Sequence, residues 1–409
     1  MKIKILFFIL ISHVSFAKAR FVRVIFNSNA STSATIIWDQ NRGNFIGLAF
    51  DTTQNLFSNN NLLPLSSENF AKGMHTCIIR LKNLKSNHRY YFSIKDSEGY
   101  SRLYYFSTVP DNPNSKLSFI AGGDSRDNRP IRSKANKMVS KLKPHAVLFN
   151  GDFINLDLSH QWITWFEDWE HTIDIDGRVT PLVVSRGNHE RSNRILVKLF
   201  DVPHPKLYYS TEFGGNLVNI ISLNSEILKI GGQKFFLRNN LEKHRHFHWQ
   251  IPQYHRPIRA HVSFKKEMNT QYRNFVPLFE KYSNVRLCLE NDSHTCKITW
   301  PILSSKSEES EEGFIRNDSI GIVYAGEGCW GAPLRAADDL KSWTRDAGKV
   351  NQFNWIFVSK EKIELRTVLY DNVSAVESLS ERNRFQSPNN IMLFGPKNGT
   401  LVEILPNKF

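Results

Sequence analysis

The chain has 409 residues, with 53 Lys+Arg against 39 Asp+Glu, a net charge of +14, 41% hydrophobic and 12% aromatic content. Such a composition excludes a disordered polar chain and has room for two domains. The positive balance can steer anionic substrates, but no dense basic stripe with interleaved aromatics occurs, so nucleic-acid binding is not argued.

The N-terminus has the pattern of a signal peptide. Lys2 and Lys4 precede an apolar run over 5–16, and Ala17-Lys18-Ala19 is a small-x-small cleavage site. The run is too short to span a bilayer, and no later stretch reaches the roughly 18 apolar residues a span needs. The mature protein, without a transmembrane segment, is therefore expected to be exported, periplasmic or secreted. Exported chains tolerate disulfides, so one bridge among Cys77, Cys288, Cys296 and Cys329 is plausible, with the pairing left open.

Residues 20–110 alternate in short β-like runs: 21–26, 34–38, 75–81, 90–95 and 103–108, separated by polar clusters. This spacing predicts a β-sandwich. Pro110-Asp111-Asn112-Pro113-Asn114-Ser115 reads as a linker. From 115 to 409 the pattern changes. Apolar runs at 117–120, 146–149, 181–184, 217–223, 247–254, 285–289, 320–325 and 355–367 alternate with longer helix-capable segments, as in an α/β domain.

Three of these runs end in donor residues. Gly122-Gly123-Asp124, Gly151-Asp152 and Gly187-Asn188-His189-Glu190 each follow a predicted strand. Open α/β sheets place their sites at such ends. Asp124, Asp152, Asn155, Asn188, His255, Asp292 and His294 offer oxygen or imidazole donors and no thiolate, a set suited to iron, manganese or zinc. Two metals about 3.5–4 Å apart need a shared ligand, and Asp152 is the candidate.

The ordered set of Gly-Asp, Gly-Asp-x-x-x, Gly-Asn-His-Glu, His255-x-Pro257 and His294 resembles the calcineurin-like metallophosphoesterases. Leu84 to Tyr90 resembles the tyrosine corner of a fibronectin type III module with Trp38 as its core indole, which brings the likeness to the purple acid phosphatase group. That resemblance implies an α/β fold, a four-layer metallophosphoesterase β-sandwich flanked by helices, preceded by a small all-β sandwich. It implies a metal-dependent phosphatase or phosphodiesterase acting on small anionic phosphate esters through a metal-activated water. The alternatives are a nucleotide pyrophosphate hydrolase or a non-catalytic binding protein on the same fold.

The same resemblance implies two metal ions. The first would take Asp124, Asp152, Asn155 and His294; the second would take Asp152, Asn188, His255 and Asp292. His189 would bind phosphate or protonate the leaving oxygen, with Glu190 as its orienting partner or a structural residue. Arg126 and Arg186 would hold phosphate oxygens or pair with carboxylates, and His261 would be a substrate contact or a surface residue. The purple phosphatase pattern has Tyr where this chain has Asn155 and His where it has Asp292. With no phenolate ligand, a colourless, divalent pair is expected.

Overall fold

The computed structural model describes residues 19–56 and 62–407. The leader expected at 1–19 lies outside the described residues but for Ala19. The N-terminal part comprises β1 (Ala19–Ile25), β2 (Ala34–Gln40), β3 (Phe45–Asp51), β4 (Leu62–Leu63), β5 (Ser67–Ala71), β6 (Met74–Leu81), β7 (Arg89–Asp96), β8 (Gly99–Tyr100) and β9 (Tyr104–Ser107). One sheet runs β1-β2-β6-β5; the other runs β4-β3-β7-β8, with β9 also on β7. Trp38 is fully buried between them and packs on Phe45 at 5.1 Å. The Tyr90 hydroxyl accepts from Lys85 N at 2.7 Å, which is the tyrosine-corner bond. The pattern at 45–51 escapes a periodicity reading because Gly47 interrupts it. A Cβ there would lie 2.4 Å from Leu62 Cβ, so the close approach of β4 requires glycine.

The second part continues with β10 (Leu117–Gly122), α1 (Arg129–Leu142), β11 (Ala146–Phe149), α2 (Ser159–Trp169), β12 (Leu182–Val184), α3 (Asn193–Phe200), β13 (Tyr209–Phe213), β14 (Val218–Ser222), α4 (Gly232–Lys243), β15 (Trp249–Gln253), α5 (Asn269–Glu280) and β16 (Leu287–Glu290). It ends with β17 (Cys296–Thr299), β18 (Ile302–Ser304), β19 (Phe314–Arg316), β20 (Val323–Gly326), β21 (Thr344–Gly348), β22 (Gln352–Val358), β23 (Ile363–Leu369), β24 (Met392–Phe394) and β25 (Val402–Ile404). The long run expected at 355–367 is a hairpin, β22 to β23, turning at Ser359–Lys362.

Two sheets carry the site. In the first, β10, β11 and β12 are parallel and β22 lies antiparallel beside β10. In the second, the order is β13-β14-β15-β16-β20-β17-β21. Phe119 of the first meets Phe213 of the second edge to face at 5.0 Å, and both sheets share one apolar core. Helices α1 and α2 bury Met138, Val139, Trp162 and Trp165 in that core, while α5 buries Phe275 and Phe279 in a smaller one beyond the second sheet.

The N-terminal sandwich is stitched to this core. β1 pairs parallel with β12 at Ile25–Leu182, and Phe26 N donates to Leu182 O at 2.9 Å. The β1-β2-β6-β5 sheet is thereby an extension of the first of these sheets, eleven strands in all. Glu381 adds an ionic fastening. It pairs with Arg89 of β7 at 2.6 Å and with Arg178 and Arg384 at 3.1 Å each.

All four cysteines are buried and free, so the expected bridge is absent. Cys288 on β16 and Cys296 on β17 are kept apart by β20, which lies between those strands.

Candidate metal centre

Every donor residue follows a strand. Asp124 follows β10, Asp152 follows β11, Asn188 follows β12, His255 follows β15, and Asp292 and His294 follow β16. The loops are held left-handed at non-glycine residues: Asp124 (φ 56), Asp152 (φ 54), Asp292 (φ 75), His294 (φ 59) and Glu327 (φ 69). Such backbone costs of order 1 kcal/mol each and clusters at functional sites. Gly151 (φ 88) shows why the motif needs glycine. A Cβ there would sit 2.2 Å from Gly187 N, so only glycine lets two donor loops touch.

The side chains converge into two groups. Asp124, Asp152 and His294 form one, and Asp152, His255 and Asp292 form the other, with donor atoms in each within 4.8 Å of one another. Asp152 belongs to both. His294 Nε2 lies 3.3 Å from Asp124 Oδ1. His255 Nε2 lies 3.1 Å from Asn188 Oδ1, 3.3 Å from Asp152 Oδ1 and 3.5 Å from Asp292 Oδ1.

These residues fit a cation pair. His255 Nδ1 is bonded to Asn150 O at 2.9 Å and His294 Nδ1 to Pro333 O at 3.1 Å. A carbonyl on Nδ1 leaves Nε2 to face the centre, the usual support of a metal-ligating histidine. Asp124 Oδ1 and Asp152 Oδ2 are buried with no hydrogen-bond partner among the described residues. Buried carboxylate oxygens need a cation or a donor. A Cβ on Gly328 would lie 2.3 Å from Asp124 Oδ2, so the cradle is closed on that side by backbone.

Burial works against ionisation of Asp152, but His255 and His189 outweigh it and hold the carboxyl at about 2. Burial is likewise overcome at Asp292, where His255 and Lys265 hold the carboxyl far below the carboxylate range. Both acids are therefore anionic at any working pH.

The other sequence-predicted residues fall into place differently. His189 is half-buried at the mouth, its Nδ1 bonded to Asn155 O and its Nε2 3.7 Å from Asp152 Oδ2. Arg126 sits beside it and donates to Asn155 Oδ1. Asn155 therefore spends its side-chain oxygen on Arg126. Glu190 is a clamp and does not orient His189. Its carboxylate accepts from Gly187 N at 2.7 Å, Phe153 N at 2.8 Å and Asp152 N at 3.2 Å, binding two donor loops together. Burial and the Asp152 charge push it up to about 8, against the pull of His255 and those amides.

Arg186 is also a staple, not a phosphate contact. It donates to Glu190 O at 2.7 and 2.9 Å and to Asn193 Oδ1 at 2.6 Å. His261 is fully buried behind the site, bonded to Thr344 Oγ1 at 2.7 Å, where substrate cannot reach it. Trp330 and Trp343 are buried too and pack within the cores, so neither can stack on a leaving group.

Two basic groups at the site carry no motif in the sequence. Lys265 Nζ lies 2.7 Å from Asp292 Oδ2. Arg335 lies over Phe264, with Nη1 3.4 Å from Asp292 O. Behind them, buried Lys297 ties Glu290 at 2.5 Å and Glu327 at 2.7 Å. Glu290 in turn accepts from Tyr254 and from Ile258 N, on either side of His255.

The calcineurin-like phosphoesterase family model matches residues 121–295, the stretch from β10 through His294. No curated protein matches by sequence. Among solved structures, a purple acid phosphatase from yellow lupin seeds superposes with TM-score 0.71 at 16% identity, covering 90% of this chain and 76% of that one. The structure of PhoD superposes with TM-score 0.66 at 12% identity, covering 96% and 93%. The chain thus carries a calcineurin-like phosphoesterase domain on a metallophosphoesterase fold, preceded by an N-terminal β domain.

Proposed function

We propose that the protein is an exported phosphoesterase that hydrolyses small phosphate esters, acid-phosphatase-like, at a centre for two divalent cations (Fe, Mn or Zn). The observation that carries this is the sharing of Asp152 between two buried donor groups. Asp124 and His294 would complete one ion's protein ligands, and Asn188, His255 and Asp292 the other's. Bound there, the cations supply Lewis acidity and lower the pKa of water. Export is supported by the leader-like residues 1–19.

The protein's own groups do the rest. Arg126 and Arg335 flank the centre, and their guanidinium groups match phosphate oxygens in charge and geometry. His189 stands at the mouth with Nδ1 anchored on Asn155 O, which leaves Nε2 to carry a proton to the departing alkoxide. Glu190 fixes the two loops that place Asp152 and His189.

The test is hydrolysis of an aryl phosphate and an aryl phosphodiester by purified protein supplied with Mn, Zn or Fe, beside Asp152→Asn and metal analysis of both. Activity and about two ions per chain are expected in the wild type, both lost in the variant. Equal silence of the two proteins across pH would sink the reading and leave a binding module. A one-ion centre is a second reading, favoured by Lys265 beside Asp292. Active protein with one ion per chain would select it.

A further inference from the structure

Arg286 is 3% exposed, and among the described residues its guanidinium has no partner: Nε and Nη1 are both buried and unbonded. Buried charges are ordinarily paired. Here burial alone acts, pushing the group down to about 10 with no acid to oppose it. Arg286 faces a cavity of about 720 Å³.

The other charged groups on the cavity wall are committed. Arg316 pairs with Asp318 at 2.9 Å and lies 3.7 Å over Trp300. Arg345 is satisfied by Asp346 and by the carbonyls of Asn398, Gly399 and Leu401. Glu403 pairs with Lys362 at 2.5 Å. One positive charge is left over, in a cavity also lined by Val323, Val402 and Ile404, with Ile320 and Leu405 about half exposed.

The cavity is separate from the metal centre. Arg286 precedes β16 and Val323 begins β20, whereas the donor loops follow the other ends of those strands. We infer that this cavity is a second binding site, for a carboxylate-headed amphiphile with its head on Arg286 and its apolar body along Val323, Val402 and Ile404. A single uncommitted guanidinium matches a monoanion better than a phosphate monoester, which carries about −1.5 to −2 at neutral pH. A carboxylate also accepts both fork hydrogens of a guanidinium. The apolar walls exclude a bare ion as the best ligand, since burying them against a hydrocarbon adds favourable transfer energy with every CH₂.

The experiment is calorimetric titration of the full chain with octanoate, 1-octanol and acetate, for wild type and Arg286→Leu. Octanoate is expected to bind one to one and to weaken roughly tenfold or more in Arg286→Leu, the loss of a charge-assisted bond. Octanol and acetate are each expected to bind at least tenfold more weakly than octanoate. Equal octanoate affinity in the two proteins, or octanol as good as octanoate, would overturn the inference. A crystal of the wild type soaked in 8-bromooctanoate tests it without any variant. The bromine should appear in the cavity with the carboxylate on Arg286; bromine elsewhere, or no bromine at saturation, overturns it.

Discussion

Lys265 Nζ lies 2.7 Å from Asp292 Oδ2, so the second donor group already has an ammonium in contact with its outer carboxylate. That charge opposes a cation bound by the same carboxylate. Lys265→Gln should therefore tighten the weaker of the two metal-binding steps by roughly tenfold, the scale of a strong outer-sphere contact. Titration with Mn or Zn, followed calorimetrically, measures this. Unchanged or weaker binding would show that Lys265 does not oppose the second ion.

Position 155, where the purple phosphatase pattern has a tyrosine, is an asparagine in this chain. The buried Tyr254 beside the site spends its hydroxyl on Glu290 at 2.7 Å. Purified protein is expected to be colourless, and protein supplied with iron to show no purple phenolate-to-iron band. A purple absorption band, with resonance Raman modes of a phenolate, would contradict the absence of a phenolate ligand.

Lys297 is buried and holds Glu290 and Glu327, which brace the turn carrying His255. Removing one member of a buried ionic cluster leaves the others uncompensated and typically costs about 3–5 kcal/mol. Lys297→Met should lower the urea midpoint accordingly. The triple variant Glu290→Gln, Lys297→Met, Glu327→Gln should recover part of the loss. A midpoint for Lys297→Met equal to wild type would mean the cluster is structurally idle.

Glu381 fastens β7 to the second part of the chain and has three arginines on its carboxylate. Burial opposes its ionisation, but Arg178, Arg89 and Arg384 hold the carboxyl at about 2, below its ordinary 4.5. A depressed carboxyl stabilises fully above the unfolded value and loses that contribution as pH falls from about 4.5 towards 2. At neutral pH the contribution is of order 3 kcal/mol, from about 1.4 kcal/mol per unit. Glu381→Gln should be less stable than wild type at pH 7, with the gap closing as pH falls through that window. Thermal melts of both proteins over pH 2–7 measure it; a gap independent of pH would refute the assignment.

The centre was largely readable because its donors come from short motifs at strand ends, and a strand end fixes where the next side chain points. Asp124, Asp152, His255, Asp292 and His294 follow from that rule. The tyrosine corner was readable for the same reason, since Tyr90 bonds a residue only five positions away. What escaped depends on distant chain. Asn155 was read as a ligand because nothing local reveals that Arg126 takes its oxygen. His261 was read as accessible, yet Thr344, 83 residues on, covers it. Lys265 has no pattern around it at all. The strand β3 was hidden by a glycine whose reason is Leu62 on another strand.

The position of β22 beside β10 sets the order in which this molecule can be completed. Ile120 pairs with Trp355, so a central strand finds its neighbour only after most of the chain has been made. Closing so long a loop before contacts repay it makes folding slow. Until then, the free flank of β10 is an open sheet edge able to recruit another chain. Yield on refolding should therefore fall steeply with protein concentration, and a ribosome-bound chain ending before residue 352 should be captured by chaperones.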